Sequence, residues 1–212
     1  MAVWTVSAEL GSGGECVAAD LAAAAGIPLI DRGALALLAR DLNPDVTGAG
    51  TIDDLERCVG KGGITLLALG IPFSPLAGDM VRQLQLHHAL PELGRAVTAQ
   101  VARQPCVIAA AAAFAAMDAH PGAVHVRLRA PLECRVARYA REQLVSRRCA
   151  EKAVRSDDQR KHAWLRSIYH VDIEDPRYYS AVLDTSRFTT ERLVETLLAL
   201  GGVPLVGAAL VA

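Results

Sequence analysis

Ala2-Val-Trp-Thr-Val-Ser-Ala-Glu-Leu-Gly-Ser-Gly-Gly14 opens with a short β-branched, apolar run and closes with a glycine-rich turn. Ala2 to Val6 reads as a buried strand. Gly11-Ser-Gly-Gly14 reads as a turn that glycine adopts easily. Glu15 to Ala25 follows with strong helix formers and no breaker; Gly26 ends that helix and Pro28 blocks its extension. A strand, a glycine turn and a helix in this order form the geometry of a phosphate cradle, because backbone N–H groups and the positive helix end attract anions. The full motif is Gly, four residues, Gly, Lys, then Ser or Thr. Setting its Gly-Lys pair on Gly13-Gly14 puts Ala8 at the first glycine and Glu15 at the hydroxyl position. The lysine is missing. The Glu15 carboxylate would compete with phosphate for the helix end. Taken alone, the turn better suits a plain strand-to-helix connection.

Working outward, Ile27 to Ile30 reads as a second strand, and Asp31 caps a helix running to about Leu42. Residues 43–63 are polar, with a short helix expected at Asp53 to Val59. Ile64 to Leu69 is apolar and fits strand or helix. Pro72 and Pro75 mark a loop, and Leu76 to Arg103 reads as helix, with Pro91 as a point of division. Cys106 to Ala109 is a strand and Ala110 to Met117 a helix. Val124 to Leu128 is a further strand. Leu132 to Leu144, Cys149 to Arg155 and Asp158 to Tyr169 are charged helices. Ala181 to Leu183 is a last strand, and Thr190 to Leu200 a last, amphipathic helix. Alternating strands and helices predict an α/β parallel sheet with helices on both faces. The length of 212 residues suits one domain, residues 1–212, with a helical lid at about 132–170.

Composition excludes more than it assigns. The 22 basic and 23 acidic residues leave a net charge of −1, so nothing global favours nucleic acid, and no nucleic-acid partner is expected. The five cysteines, Cys16, Cys58, Cys106, Cys134 and Cys149, are scattered and odd in number. Free thiols in a reducing cytoplasm fit them better than disulfides or zinc. No signal peptide is read at the start. The apolar tract Val203 to Ala212 is too short to cross a bilayer, so no membrane role is expected. That tract and the alanine-rich helices suit a homodimer.

Several short motifs together resemble one family. Ser7-Ala-Glu-Leu-Gly-Ser-Gly-Gly-Glu15 and Gly26-Ile-Pro-Leu-Ile-Asp-Arg32 are similar to its Ser-Arg-Glu-Tyr-Gly-Ser-Gly-Gly-Arg and Gly-Ile-Pro-Tyr-Tyr-Asp-Arg segments. The likeness resumes at Cys106-Val-Ile108, Ala130-Pro-Leu-Glu-Cys-Arg135, Asp158-Gln-Arg160, Asp175-Pro-Arg-Tyr-Tyr179 and Leu183-Asp-Thr-Ser186. The chain thus resembles the cytidylate-kinase-like family, most loosely over residues 43–103. The resemblance implies a three-layer P-loop kinase-like fold and, in active members, transfer of the ATP γ-phosphate to CMP or dCMP with magnesium. It places Gly11, Ser12, Gly13 and Gly14 at the donor phosphates and Asp31 and Arg32 near the acceptor. It places Arg135, Arg138 and Arg160 in a lid over the ATP phosphates, with Asp158 as the acid that orients them.

The same resemblance exposes losses. Gly14 stands where a phosphate loop has lysine, and Glu15 where relatives have arginine. Ala110-Ala-Ala112 replaces a Gly-Arg-Gly that binds the acceptor, and Ala36 and Leu37 replace an aromatic and an arginine. Each lost charge-assisted hydrogen bond weakens binding by roughly 1.5–3 kcal/mol. Two readings follow. One is a nucleotide- or anion-binding or regulatory protein without ordinary CMP kinase chemistry. The other is an active phosphotransferase on CMP, dCMP or a related small acceptor. No metal-ligand spacing links His87, His88, His120, His125, His162 and His170, which read as surface residues. Asp172, Glu174 and Asp175 read as a solvated loop. Tyr178 and Tyr179 should pack the lid against the core, and Asp184 should cap a turn.

Overall fold

A computed structural model describes residues 2–42 and 91–203. Among them, five parallel strands form one sheet: β1 Val3–Ala8, β2 Leu29–Ile30, β3 Cys106–Ala109, β4 Ala123–Arg129 and β5 Ala181–Asp184, in the order β2-β3-β1-β4-β5. The helices are α1 Gly14–Ala25, α2 Arg32–Leu42, α3 at residues 91–101, α4 Ala113–Ala116, α5 Leu132–Glu142, α6 Arg147–Ile168 and α7 Thr190–Leu200.

β1 lies at the centre of the sheet and is buried along nearly its whole length. Val3, Trp4, Thr5, Val6 and Ser7 are all buried, as a parallel strand covered on both faces must be. The alternation of side chains then divides the core. Trp4, Val6, Val107, Val126 and Leu128 meet Val17 and Leu21 of α1 and Leu193 and Leu197 of α7. The indole of Trp4 also donates to the Leu197 carbonyl at 3.0 Å. Val3, Cys106 and Ile108 point the other way, toward Leu35, Val97, Ala113 and Met117. Helices therefore cover both faces of the sheet, giving the three-layer α/β architecture expected from the strand–helix alternation.

A third cluster joins α6 to the body of the protein. Phe114 packs with Trp164, Leu165, Ile168 and Ile173. The rings of Tyr178 and Tyr179 lie 5.7 and 4.8 Å from that of Phe114. The tyrosine pair thus holds the helical segment to the core.

Two expectations for helices change. Cys149 to Arg155 and Asp158 to Tyr169 are parts of the single helix α6. Nothing at Ser156 or Asp157 breaks it: Asp157 is buried and pairs forward with Arg160 and Lys161, one turn on. Ala110 to Met117 is helical only over Ala113–Ala116; residues 110–112 form a turn at the end of β3. β1 and β4 run slightly further than Val6 and Leu128, and Thr190–Leu200 forms as expected. The expected elements at Asp53 to Val59 and Ile64 to Leu69, the start of the Leu76 to Arg103 helix, and most of the Val203 to Ala212 tract lie outside the described residues. So do Cys58, His87 and His88.

Candidate active site: the glycine loop and the helical pair

The loop between β1 and α1 sits at the carboxyl ends of β1 and β3. Their onward connections run to opposite sides of the sheet there, which opens a crevice. Gly11 and Gly13 turn the chain in left-handed conformation, with φ of 77° and 79°. Ser12 is buried in the bend. Its N–H donates to the Glu9 carbonyl at 3.0 Å, and its carbonyl accepts from Thr185 Oγ1 at 2.6 Å. Its hydroxyl accepts from the Gly14 N–H at 3.3 Å. The serine therefore stabilises the loop from within.

Gly14 has no room for a side chain. A β-carbon placed there would run into the β-carbon of Ala8, with Leu128 Cδ1 at 3.3 Å behind it. The missing lysine is thus more than a change of side chain, because the loop is closed around the position that would carry it.

The loop acid Glu9 turns inward. It accepts from the Ala130 N–H at 2.9 Å, and its carboxylate lies 3.2 Å from Arg135 Nε and 3.8 Å from Arg127 Nη2. Arg135 is buried, donates to both oxygens of Asp158 at 2.9 Å, and donates through Nε to the Ala130 carbonyl at 3.1 Å. Burial works against its charge, but the Asp158 hydrogen bonds and the charges of Glu9, Asp158 and Asp157 raise its pKa above the usual value. Arg127, also buried, bridges Ser7 Oγ at 3.2 Å and Glu174 Oε1 at 2.7 Å. These pairs anchor the loop, α5 and α6 to the sheet.

The remaining expected site residues separate into those at the crevice and those beside it. Arg138, one turn after Arg135 on α5, leans over the loop and donates to the Gly11 carbonyl at 3.3 Å. Arg160 pairs with Asp157 at 2.8 Å and is partly exposed. Asp31 caps α2 by accepting from the Ala34 N–H at 2.8 Å, while Arg32 lines the crevice. Asp184 does cap a turn, accepting from Ser186 N at 2.9 Å. His125 is not a simple surface residue: its Nδ1 lies 2.7 Å from Thr5 Oγ1. Asp172, Glu174 and Asp175 are engaged by Arg166, Arg127 and Arg177.

Sequence reading missed Lys161. It extends from α6 to the end of β1, where Nζ donates to the Ala8 carbonyl at 3.2 Å and lies 2.8 Å from Asp157 Oδ2. Its signal was the Asp157-to-Lys161 spacing of one helical turn, which is visible only if α6 is continuous. The crevice holds about 260 Å³. It is lined by Gly11, Gly13, Gly14 and Glu15 of the loop, by Ala109 to Ala111, and by Arg32, Tyr139, Glu142 and Lys161, with the carboxylates of Glu9 and Asp157.

The donors around this crevice, two basic side chains and a glycine turn at a helix N-terminus, suit phosphate oxygens, while Glu9, Glu15, Glu142 and Asp157 also line it and oppose an anion. The crevice fits magnesium less well. Ser12 is enclosed, Glu15 stands at the hydroxyl position, and among the described residues no three His, Cys, Asp or Glu side chains converge on one point. Among the same residues no helix is long and apolar enough to cross a membrane.

A central parallel strand that feeds a glycine loop and a helix, with a helical pair over the loop, defines a P-loop kinase-like protein. Within that class the chain belongs to the cytidylate kinase-like family, whose sequence model it matches over residues 3–187. Solved structures agree on the fold. An uncharacterized protein from Eubacterium ventriosum ATCC 27560 superposes with a TM-score of 0.64 at 16% identity, covering 94% of this chain and 97% of that one. A gluconokinase from Sinorhizobium meliloti 1021 gives 0.52 at 18% identity, with 95% and 91% covered. Shikimate kinase from Bacteroides thetaiotaomicron gives 0.52 at 14%, with 95% and 99% covered. No curated protein matches the chain.

Proposed function

We propose that this protein binds the phosphate groups of a nucleotide between the glycine loop and the α5–α6 pair, and that it does not carry out ordinary CMP phosphorylation. The observation that carries this reading is the contact between Gly14 and Ala8, which leaves the loop no place for a lysine side chain. Two further features support it. Glu15 brings a carboxylate to the N-terminus of α1, and Ala109 to Ala111 give the acceptor side of the crevice no charge. Phosphoryl transfer depends on positioning and charge neutralisation, so a crevice with these losses keeps binding more readily than catalysis. Magnesium, where a family member uses it, would shield the phosphates.

A second reading, an active phosphotransferase on CMP, dCMP or a related small acceptor, is favoured by the Lys161 ammonium beside the loop. Measuring ADP formed from ATP and magnesium, with and without CMP or dCMP, separates the two. We expect no acceptor-dependent ADP. Sustained turnover that stops in Arg32→Ala would establish the second reading.

On this proposal residues 1–212 act as one unit with α5 and α6 as its lid, in a reducing cytoplasm, and a homodimer is compatible with it. A monomeric mass in light scattering at working concentration would remove the dimer.

A further inference from the structure

The loop lacks its own cation, yet an ammonium stands against it. Lys161 lies on α6, far from the loop in sequence. Its side chain is largely shielded from solvent, at 12% exposure. Burying a lysine ammonium is unfavourable unless something holds it. Asp157 does so from one helical turn earlier, at 2.8 Å, and is itself more deeply buried. Arg160 pairs with the other oxygen of the same carboxylate at 2.8 Å, so Asp157 carries two cations. Such an acid holds its partners in place without cancelling both charges. A hydrogen bond from Nζ to the Ala8 carbonyl at 3.2 Å fixes the ammonium where β1 runs into the loop. An ammonium has three donors; this bond uses one, and Asp157 Oδ2 holds the charge as an ion-pair partner. Lys161 also lines the crevice with Gly13 and Gly14.

From this arrangement we infer that Lys161 is a phosphate-contacting cation of the crevice, beside Arg32 and Arg138, delivered by α6 in place of the side chain that position 14 cannot carry. The inference rests on the phosphate-binding reading and deepens it. The ligand class is a polyphosphate anion, and recognition depends on the joining of α6 to the loop. Asp157 acts as a positioning residue for Lys161.

The test is titration of the purified protein and its variants with ATP and with inorganic tripolyphosphate, followed by calorimetry, with ligand-free melting of each variant measured beside it. Losing one charge-assisted hydrogen bond should weaken both ligands about ten- to hundredfold in Lys161→Met. Lys161→Arg should retain affinity within a few-fold, because the charge and a donor remain. Lys161→Gln keeps a donor for the Ala8 carbonyl without the charge, so it serves if Lys161→Met does not fold; the same loss is expected. If the unaltered protein binds and Lys161→Gln or Lys161→Met binds equally well, the inference is overturned while the phosphate-binding reading stands. If the unaltered protein binds neither ligand, the reading itself fails and the inference with it.

Discussion

Arg135 and Asp158 form a two-pronged pair, each guanidinium Nη donating 2.9 Å to a different carboxylate oxygen, beneath the loop acid Glu9. Geometry of this kind, around a buried arginine, marks a fixed joint. A guanidinium held by two carboxylates and a carbonyl must break those bonds before it can follow a ligand.

Arg135→Ala should therefore lower stability first. It leaves Glu9, Asp158 and the Ala130 carbonyl without their partner. Breaking a buried pair on one side costs about 3 kcal/mol. That corresponds to a fall in melting temperature of roughly 6–12 °C for a chain of this size. Arg160→Ala removes a partly exposed arginine but leaves the buried Asp157 with Lys161, so it should cost about 1–2 kcal/mol, less than Arg135→Ala. Thermal melting of both variants checks this, and equal losses would contradict it.

Restoring the motif lysine should fail. Gly14→Lys forces a β-carbon into that of Ala8, so the protein should lose about 1–3 kcal/mol to overpacking. ATP affinity should stay unchanged or fall. A Gly14→Lys variant that melts normally and binds ATP more tightly would show that the loop opens freely.

The family and the alternation of strands with helices were legible in the sequence because they rest on local patterns. The apolar run of β1, the glycines at positions 11, 13 and 14, and the Asp31 cap each announce themselves within a few residues. The expected sheet followed from alternation alone. What was not legible depends on contacts between distant segments. Glu9 reads as a loop acid until Ala130 and Arg135 are brought to it. Arg135 and Arg138 share a helix face by spacing, yet one is enclosed by acids and the other leans over the loop. The place of Lys161 is not legible because the Ala8 carbonyl it meets lies 153 residues away in the chain.

Cysteine labelling reports on the crevice without any substitution. Burial pushes the Cys106 thiol up to about 11, so it should resist iodoacetamide in the native protein. Cys16, Cys134 and Cys149 are exposed and should react. Cys16 lines the crevice, so ATP should slow its alkylation and leave the rates of Cys134 and Cys149 alone. Mass spectrometry of the labelled peptides checks this; equal slowing at all three sites would point away from the crevice.

His125 gives a pH dependence with a definite sign. Burial lowers its pKa below the usual 6.5, against the pull of Asp118 and with a small push from His120. Below pH 6.5 the unfolded chain therefore takes up a proton that the folded state resists. The contribution is intact above that value and is lost as pH falls through the folded-state pKa. His125→Phe should make the decline of stability below pH 6.5 shallower. Urea unfolding across that range measures the slope, and an unchanged slope would assign the decline to the carboxylates.

The central claim is that the crevice between the glycine loop and α5–α6 holds nucleotide phosphates, and calorimetric titration with ATP, with and without magnesium and CMP, tests it most directly. The account predicts saturable ATP binding that Lys161→Met weakens at least tenfold and that CMP leaves unchanged. No heat of binding at millimolar ATP would contradict it and leave the kinase fold here as a scaffold.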